Sequence, residues 1–466
     1  MNLRKRLAPF IGDRAFYNTV FALLLPVVLQ NALTNFVSLL DNVMIGRVGT
    51  DQMNGVSIVN QLIFVYNLCI FGGLAGAGIF TAQFFGKGDH EGVRSTFRFK
   101  LLTGAGLLIA GIAVYLTMHE GLIAGYLHEG SETGDLVATA GYAKEYLMVM
   151  LWGLLPFTVG QIYSSTLRET GETVVPMKAG LIAIGVNLVF NYLLIFGKFG
   201  FPKMDVAGAA LATVISRYVE CAIIVWWTHA HSRRYGFIKG AYRSMRIPAS
   251  LARQILKKGM PLLVNEFLWS SAMATLTRCY STRGLAVVGG LNICTTIANL
   301  FNAVWLSMGT VVAIMVGQQL GAGEFVRVKQ TVRKLIAVSV SVALCLGVVM
   351  CLLAPVFPLM YNTTEEVRSL AARLLIIVAL SGPLHAFCHA CYFTIRSGGK
   401  TFITFLFDSA YMWVVSIPLA WALSSFTILP ILPIYAVCQF VDVSKCAIGA
   451  FLLKKGIWIQ NIVNEA

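Results

Sequence analysis

The chain has 466 residues, of which 57% are hydrophobic and 12% are charged, and its mean hydropathy is +0.74. Soluble domains do not reach these values, so the composition excludes a soluble multidomain protein. The formal net charge of +15 is explained by basic loops on one side of a membrane, and no nucleic-acid partner is expected.

Apolar runs long enough to cross a bilayer, which takes about 17–25 residues, recur along the whole chain. Each run is predicted to be a helix, because a helix satisfies its own backbone hydrogen bonds in lipid. Twelve such runs cover residues 16–45, 53–82, 99–118, 137–163, 173–197, 206–230, 253–280, 286–318, 332–357, 367–394, 402–424 and 430–453. The sequence therefore predicts an all-α integral membrane protein with twelve transmembrane helices. The first span is too long and too polar for a signal peptide, so no cleaved signal is expected.

Basic residues are concentrated in every second connection between the spans. They precede the first span, follow the second, eighth, tenth and twelfth, and fill the loop between the sixth and the seventh. The alternate loops are acidic or nearly neutral and contain Glu120, Glu129, Glu132, Asp135, Glu365 and Glu366. By the positive-inside rule, both termini are predicted to be cytoplasmic in a multi-pass protein of the cell membrane. The basic loops also make anionic membrane lipid an expected partner.

The second half of the chain repeats the first. Residues 26–98 align without a gap on residues 261–333, and six of the 16 positions from 83 to 98 are identical, where about one identity is expected. A second match pairs residues 167–173 with residues 395–401. Duplicated membrane proteins of this size are most often transporters.

The duplication divides the chain into two pseudo-symmetric six-helix lobes, predicted at residues 1–230 and 253–466. A basic cytoplasmic linker, residues 231–252, is expected to join them, since eight Lys and Arg residues and no acid lie between positions 233 and 258.

Polar residues inside four spans recur at helical spacing and form stripes. The first span has Asn31, Thr34, Asn35, Ser38, Asp41 and Asn42, the second has Ser57, Asn60, Gln61 and Asn67, the seventh has Glu266, Trp269, Ser270, Met273 and Thr277, and the eighth has Asn292, Thr295, Thr296 and Asn302. Such stripes either bond to neighbouring helices or line a water-filled cavity, because they are costly against lipid. Four matching stripes favour a substrate cavity, predicted to be lined by Asn31, Asn35, Ser38, Asn60, Gln61, Trp269, Asn292, Thr296 and Asp408.

Carboxyl groups inside the spans are few, and each is a functional candidate because a charge is costly in the membrane. Burial favours the protonated form and a bound cation favours the ionised form, so such a group can exchange a proton for a cation. Asp41 and Glu266 lack an in-register basic neighbour on their own helices, and they are predicted to couple transport to a cation. Asp442 has Lys445 nearby, which favours a structural ion pair.

Pro26 and Pro261 lie at equivalent positions in the first and seventh spans. Because proline removes a backbone hydrogen bond and bends a helix, the pair is predicted to form either a hinge in each half or a static kink.

The tenth span contains two histidines four residues apart, His385 and His389, together with Cys388 and Cys391. No acidic ligand accompanies them, so a polar cavity face is the simpler interpretation and no metal site is predicted. The chain has no phosphate-binding loop and no nucleophile elbow, and an enzyme is not expected.

Several motifs together resemble the multidrug and toxic compound extrusion (MATE) transporters. They are Asp-Asn-Val-Met-Ile-Gly-Arg-Val-Gly at 41–49, Gln-x-x-Gly-x-Gly-Asp/Glu at 83–89 and 318–324, Leu-Arg-Glu-Thr-Gly-Glu-Thr at 167–173, Asn-Leu-Val-Phe-Asn at 187–191 and Gly-Ala-Ala-Leu-Ala-Thr at 208–213. The resemblance implies two lobes that rock, with a first helix bent at Pro26, to export cationic or amphipathic compounds in exchange for protons or sodium ions. A monomer is expected, with no cofactor besides the coupling ion.

The resemblance also assigns roles around the coupling cation. It implies that Asp41 binds the cation and that Asn187 and Thr213 are neighbouring ligands, while Glu266 matches a glutamate that one branch of the family uses. Asn191 stands where many members have an aspartate, and the aspartate that the same branch places in the tenth span is missing. A single carboxylate suits a proton, whereas a sodium site would depend on neutral Asn and Thr oxygens.

Two other functions remain open at this point. A flippase for lipid-linked precursors belongs to the same superfamily, although such proteins commonly have extra spans and basic cavities. A membrane receptor or an intramembrane enzyme is disfavoured because no catalytic constellation is present.

Overall fold

A computed structural model describes residues 10–127, 135–361 and 363–464; Glu129 and Glu132 of the predicted external loop lie outside these ranges. The described residues form twelve long helices and a few short turns, with no β-strand. The helices are α1 Arg14–Gly46, α2 Thr50–Lys87, α3 His90–Ala124, α4 Leu136–Glu169, α5 Val174–Phe196, α6 Asp205–Ala230, α7 Ala249–Ser281, α8 Leu285–Gly321, α9 Phe325–Leu353, α10 Glu365–Ser397, α11 Thr401–Phe426 and α12 Ile431–Lys455. The all-helical prediction is confirmed, and each predicted span falls on one helix.

Eleven helices in the described part of the chain are long and apolar enough to cross a membrane. The remaining one, α7, has 33 residues, which is more than the roughly 20 that a span requires. It is less apolar because Arg253, Lys257 and Lys258 occupy its first turns and Glu266 its middle.

Two helices near the end of the chain depart from regular geometry. In α11, two π-helical turns, Leu406–Ala410 and Met412–Ser416, follow each other, and α12 is interrupted at Val441 between Ile431–Phe440 and Asp442–Lys455. π-helical turns insert an extra residue and are often found at functional sites. By contrast, α1 and α7 remain helical through Pro26 and Pro261, so the hinge role of these prolines stays a prediction.

The chain forms two compact units. The N-unit consists of Leu25–Thr81 and His90–Ala252, and the C-unit consists of Met1–Leu24, Ala82–Asp89 and Arg253–Ala466. In the N-unit, α6 packs against α4 and α5, and α4 packs against α3. In the C-unit, α10 packs against α8, α9 and α12, around a core that includes Leu374, Leu375 and Ile434.

The segment predicted as a linker is held against the N-unit by two arginines of α3. Arg94 Nε donates to the carbonyl of Phe237 at 3.1 Å, and Arg98 Nε donates to that of Ala241 at 2.9 Å. The Tyr235 hydroxyl donates to Glu172 Oε2 at 2.9 Å, and burial together with this carboxylate raises the pKa of the Tyr235 phenol, which keeps it a donor. The segment is therefore an ordered part of the N-unit.

The two copies of the Gln-x-x-Gly-x-Gly motif pack directly on each other inside the C-unit. A Cβ added to Gly86 would lie 2.6 Å from the carbonyl carbon of Gln318, and one added to Gly321 would lie 2.6 Å from that of Gln83. Gly88, just after the end of α2, has a φ of +79°, in the left-handed region that commonly ends helices. The repeated glycines are thus explained by one close backbone crossing and by the helix ends beside it.

Gln83 connects this crossing to the C-terminal segment. Its side chain is fully buried, and its Nε2 donates to the carbonyls of Ser397 at 2.8 Å and Gln460 at 3.3 Å. Its Oε1 accepts from the Ile462 amide at 2.9 Å. Because each lost partner would leave a buried polar atom unpaired, these hydrogen bonds fix the position of the C-terminal segment relative to the crossing.

Candidate functional site

Four polar side chains from three helices of the N-unit form one hydrogen-bonded chain. Asn191 Nδ2 donates to Asp41 Oδ1 at 2.6 Å and is 3.1 Å from Asn187 Oδ1. Asn187 Nδ2 in turn donates to Thr213 Oγ1 at 3.3 Å. Asn187 and Asn191 share a face of α5 because they are four residues apart, and they face α1 on one side and α6 on the other.

This chain is enclosed on the side of the N-unit core. Asn187 and Asn191 are buried, with only 6% and 1% of their surfaces exposed, and Tyr146 of α4 is also buried. The Tyr146 hydroxyl is hydrogen-bonded to Thr213 and interacts electrostatically with Asp41. Asp41 itself is half-buried, so it remains within reach of an ion or a proton.

One atom of the chain is unsatisfied. The side-chain oxygen of Asn191 is buried and has no hydrogen-bond partner among the described residues. Leaving a buried acceptor unpaired costs about 1–3 kcal/mol. A protonated Asp41 carboxyl, which gains an O–H donor, or a cation bound beside Asp41 would provide the partner that this oxygen lacks.

The predicted cavity residues of the N-unit lie on accessible surfaces. Asn35, Asn60 and Gln61 are exposed, and Asn31 is half-buried. Ser38 lies in the helical part of α1, but its side chain is outside the described set. These positions are open to a cavity or to lipid, and the substrate cavity stays a prediction.

In the C-unit, an aspartate and a lysine form a buried ion pair. Lys445 Nζ of α12 is 2.9 Å from Asp408 Oδ1 of α11, and Asn265 Nδ2 of α7 donates to Asp408 Oδ2 at 3.2 Å. Ser409 Oγ donates to Asn265 Oδ1 at 2.7 Å, which fixes the orientation of that amide. Asp408 is thus held by partners from two neighbouring helices.

Further titratable side chains surround this pair. His385 Nε2 is 3.4 Å from Asp442 Oδ2, and Glu266 interacts electrostatically with Arg396 and with Asp408. Asn292, Thr296 and Trp269, the predicted cavity residues of α7 and α8, are exposed. Within the described ranges, no group of three or more His, Cys, Asp or Glu side chains is placed to hold a metal ion.

The sequence favours a pair between Lys445 and Asp442 on the same helix and predicts Asp408 to line the cavity. In the structure, the hydrogen-bonded partner of Lys445 is Asp408, 37 positions earlier in the chain. The π-helical turn Leu406–Ala410 changes the direction in which α11 presents Asp408. The one sequence feature that pointed to this contact is Lys445 itself, because a lysine inside a membrane span is rare and needs an acidic partner.

The MatE family model matches residues 26–193 and 261–422, which together make up more than half of the chain. The probable multidrug resistance protein YoeA of Bacillus subtilis (strain 168) is 27% identical over 424 residues, covering 88% of this chain and 88% of that protein. The probable multidrug resistance protein NorM of Thermotoga maritima is 24% identical over 413 residues, covering 86% and 84%.

A solved structure with the same fold is described as the outward-facing conformation of a multidrug resistance MATE family transporter of the MOP superfamily. It superposes with a TM-score of 0.85 at 18% identity and covers 98% of this chain and 99% of that one. The chain therefore has the two-lobe, all-helical fold of a multi-pass membrane protein, as the sequence predicts. The chain belongs to the MatE family, the MATE transporters, and it is a transporter and not an enzyme.

Proposed function

We propose that the protein exports cationic or amphipathic small molecules in exchange for a cation that binds at Asp41. The names of the YoeA and NorM relatives, which describe multidrug resistance proteins, support this substrate class. The polar stripes of α1, α2, α7 and α8 supply amide and hydroxyl groups for ligands of varied shape, and Glu266 and Asp41 supply the negative charge that attracts cations.

The observation that carries the proposal is the contact between Asp41 and Asn191. The amide nitrogen of Asn191 donates to one carboxylate oxygen at 2.6 Å, while its carbonyl oxygen is buried without a partner. A primary amide and a carboxylic acid can pair through two hydrogen bonds at once, one in each direction. Protonation of Asp41 would complete this pair, and loss of the proton breaks half of it. Drug binding and proton binding then compete through one carboxyl group.

The chemistry of the site favours a proton as the coupling ion. A sodium ion prefers several oxygen ligands, commonly including carboxylates, and Asp41 is the one carboxylate in a chain otherwise made of Asn187, Asn191 and Thr213. These neutral groups already use one another as partners. Sodium would need several of these oxygens to turn towards one point, whereas a proton needs only the Asp41 carboxyl and the unpaired Asn191 oxygen.

The test is gradient-driven export from inverted membrane vesicles. We expect Asp41→Asn to insert normally and to lose export of an ethidium-like cation, because the amide cannot release a proton. Asp51→Asn, which changes an acid in the first turn of α2, is the matched control and should export normally. Full export by Asp41→Asn would refute the role of Asp41.

The coupling ion is tested with the wild-type protein. A pH gradient in sodium-free buffer should drive export at the full rate. If export stops when sodium is removed while the pH gradient is held constant, the coupling ion is sodium, and Asp41, Asn187, Asn191 and Thr213 are its ligands. Glu266→Gln in the same assay measures what the C-unit acid contributes; unchanged export would assign Glu266 a structural role.

A further inference from the structure

We propose that the ammonium group of Lys445 is a built-in cation that permanently occupies a carboxylate site in the C-unit. This site is formed by Asp408 and Asn265, and it has the composition of a cation site: a buried carboxylate with a neighbouring amide. The consequence for transport, that Asp408 takes up no proton or metal ion from solution during the cycle, rests on the proposed cation-coupled function.

Both carboxylate oxygens of Asp408 already have a partner. Oδ1 is 2.9 Å from Lys445 Nζ, and Oδ2 accepts from Asn265 Nδ2 at 3.2 Å. The side chains of Lys445 and Asp408 have only 9% and 19% of their surfaces exposed. A dissolved ion would therefore have to displace a buried, charge-assisted hydrogen bond in order to bind.

The remaining surroundings of the Lys445 ammonium group also suit a cation. Its nitrogen lies 5.4 Å from the centre of the Phe407 ring and 5.7 Å from that of the Tyr411 ring, both within the range of cation–π attraction. The Tyr411 hydroxyl donates to the Val441 carbonyl at 2.9 Å, which fastens α11 to α12 at the interruption of α12. The aromatic side chains thus complete a site around the lysine head group.

The backbone is irregular on both sides of the ion pair. Asp408 lies inside the π-helical turn Leu406–Ala410, and Lys445 follows the interruption of α12 by one helical turn. Both helices are irregular at the level of the pair. Because Lys445 is tethered and already positioned at Asp408, a dissolved ion has to compete with a partner that does not diffuse away.

The contrast with the N-unit is direct. Asp41 contacts the neutral amide of Asn191, so its charge is open to compensation by a proton or an ion from solution. Asp408 has the same kind of amide neighbour, Asn265, and in addition a lysine. The two carboxylates therefore differ in whether the cation is exchangeable.

Other titratable groups face the pair and define what a test must control. Around it lie Glu266 from α7, His385, Cys388, His389, Tyr392 and Arg396 from α10, Tyr411 from α11, and Asp442 and Cys446 from α12. His385 pairs with Asp442 at 3.4 Å, and Arg396 interacts with Glu266, so each of these acids has a basic neighbour other than Lys445.

The experiment measures the thermal stability of the purified full-length protein in the Asp41→Asn background, which removes the N-unit site. Midpoints are compared between sodium and choline buffers and between about pH 5.5 and pH 8. We expect the Asp41→Asn protein to respond weakly to both changes. The Asp41→Asn/Lys445→Met protein should be stabilised by sodium or by acid, with a midpoint rise of at least about 3 °C, because a free carboxylate then binds the ion.

Two further variants make the result specific. Adding Asp408→Asn to Asp41→Asn/Lys445→Met should abolish the new response, since the carboxylate is gone. Asp41→Asn/Lys445→Arg should behave like Asp41→Asn, because the charge is kept. If Lys445→Met proteins are recovered as monodisperse material only in sodium or acidic buffer, that result also supports the proposal.

Two results would overturn it. One is a sodium- or acid-dependent stabilisation of Asp41→Asn that Asp408→Asn removes, since Asp408 would then bind ions despite Lys445. The other is an Asp41→Asn/Lys445→Met protein, folded or not recoverable in any buffer, that gains no ion dependence. Because these measurements do not use transport, they distinguish a failure of this proposal from a failure of the Asp41 mechanism.

Discussion

The crossing between the two motif copies gives a sharp prediction about stability. In Gly86→Ala, the new Cβ would lie 2.6 Å from the carbonyl carbon and from the Cα of Gln318, whereas carbon atoms in contact are about 3.5–4.0 Å apart. The ends of α2 and α8 would have to separate by about 1 Å. Forced separation in a packed region costs typically 1–3 kcal/mol, and here the Gln83 hydrogen bonds to Ser397 and Ile462 oppose it, each contributing about 1 kcal/mol. We expect Gly86→Ala to lower the free energy of unfolding by about 3 kcal/mol.

The duplicated geometry predicts the same loss for Gly321→Ala, whose Cβ would meet Gln83 at 2.6 Å. The double variant should lose less than the sum of the two, because both changes open one contact. Gly106→Ala is the matched control, since its Cβ would meet nothing within 4 Å and a helical alanine is no less stable than glycine.

The measurement is the midpoint of thermal unfolding of the purified protein, followed by tryptophan fluorescence at one heating rate. Gly86→Ala and Gly321→Ala should both unfold well below the wild type, and Gly106→Ala should match it. If the two motif variants unfold with Gly106→Ala, the close crossing is not a constraint, and the repeated glycines need another explanation.

The other predictions concern coupling, topology and the first proline. Asn191→Asp adds a second carboxylate beside Asp41 and should increase any sodium dependence of export in vesicles; an unchanged sodium response would contradict the assignment of this position to the ion site. In a background without accessible cysteines, Lys239→Cys should react with membrane-impermeant maleimide only from the cytoplasm and Glu366→Cys only from outside, and the reverse at either position would invert the topology. Pro26→Ala restores a backbone donor in α1 and should slow export without lowering the thermal midpoint if Pro26 is a hinge; an unchanged rate would leave it a static kink.

The fold could be predicted from the sequence to a large extent because the bilayer imposes a simple rule. Each span must satisfy its own backbone, so length and hydropathy identify the helices, and the duplication at offset 235 indicates their arrangement in two lobes. The polar α7 shows the limit of hydropathy alone. The run 253–280 is counted among the twelve apolar spans, and its match to the first span, at Pro261 and Pro26, supports that assignment independently.

The N-unit site was predictable only in part. Asp41 and Asn191 are 150 residues apart, and helical periodicity carries no information about contacts over such a separation. Their grouping was predicted from the resemblance to a family. The unpaired oxygen of Asn191 depends on the orientation of one amide group, which the sequence does not indicate.

The face of α11 on which Asp408 lies could not be predicted from the sequence, for a physical reason. Sequence patterns place residues on helix faces by assuming 3.6 residues per turn. Each π-helical turn in α11 adds one residue to a turn, so the residues that follow lie on a different face from the one the pattern predicts. After residue 406 the faces of α11 no longer follow the assumed periodicity. Periodicity arguments therefore fail where irregular helical geometry positions a charged side chain.

The duplication makes the difference between the two units informative. Asp41 corresponds to Leu276 and Glu266 corresponds to Asn31 at the offset of 235, so the acids of the two halves are not inherited copies of one site. The N-unit acid is paired with an amide, and the C-unit acid Asp408 is paired with an amide and a lysine. Two exchangeable sites would bring in two charges per cycle, whereas one exchangeable site and one internally neutralised site bring in one. In the proposed mechanism, Lys445 therefore keeps Asp408 from adding a second coupling charge to that of Asp41, because without the lysine this carboxylate must find a cation of its own.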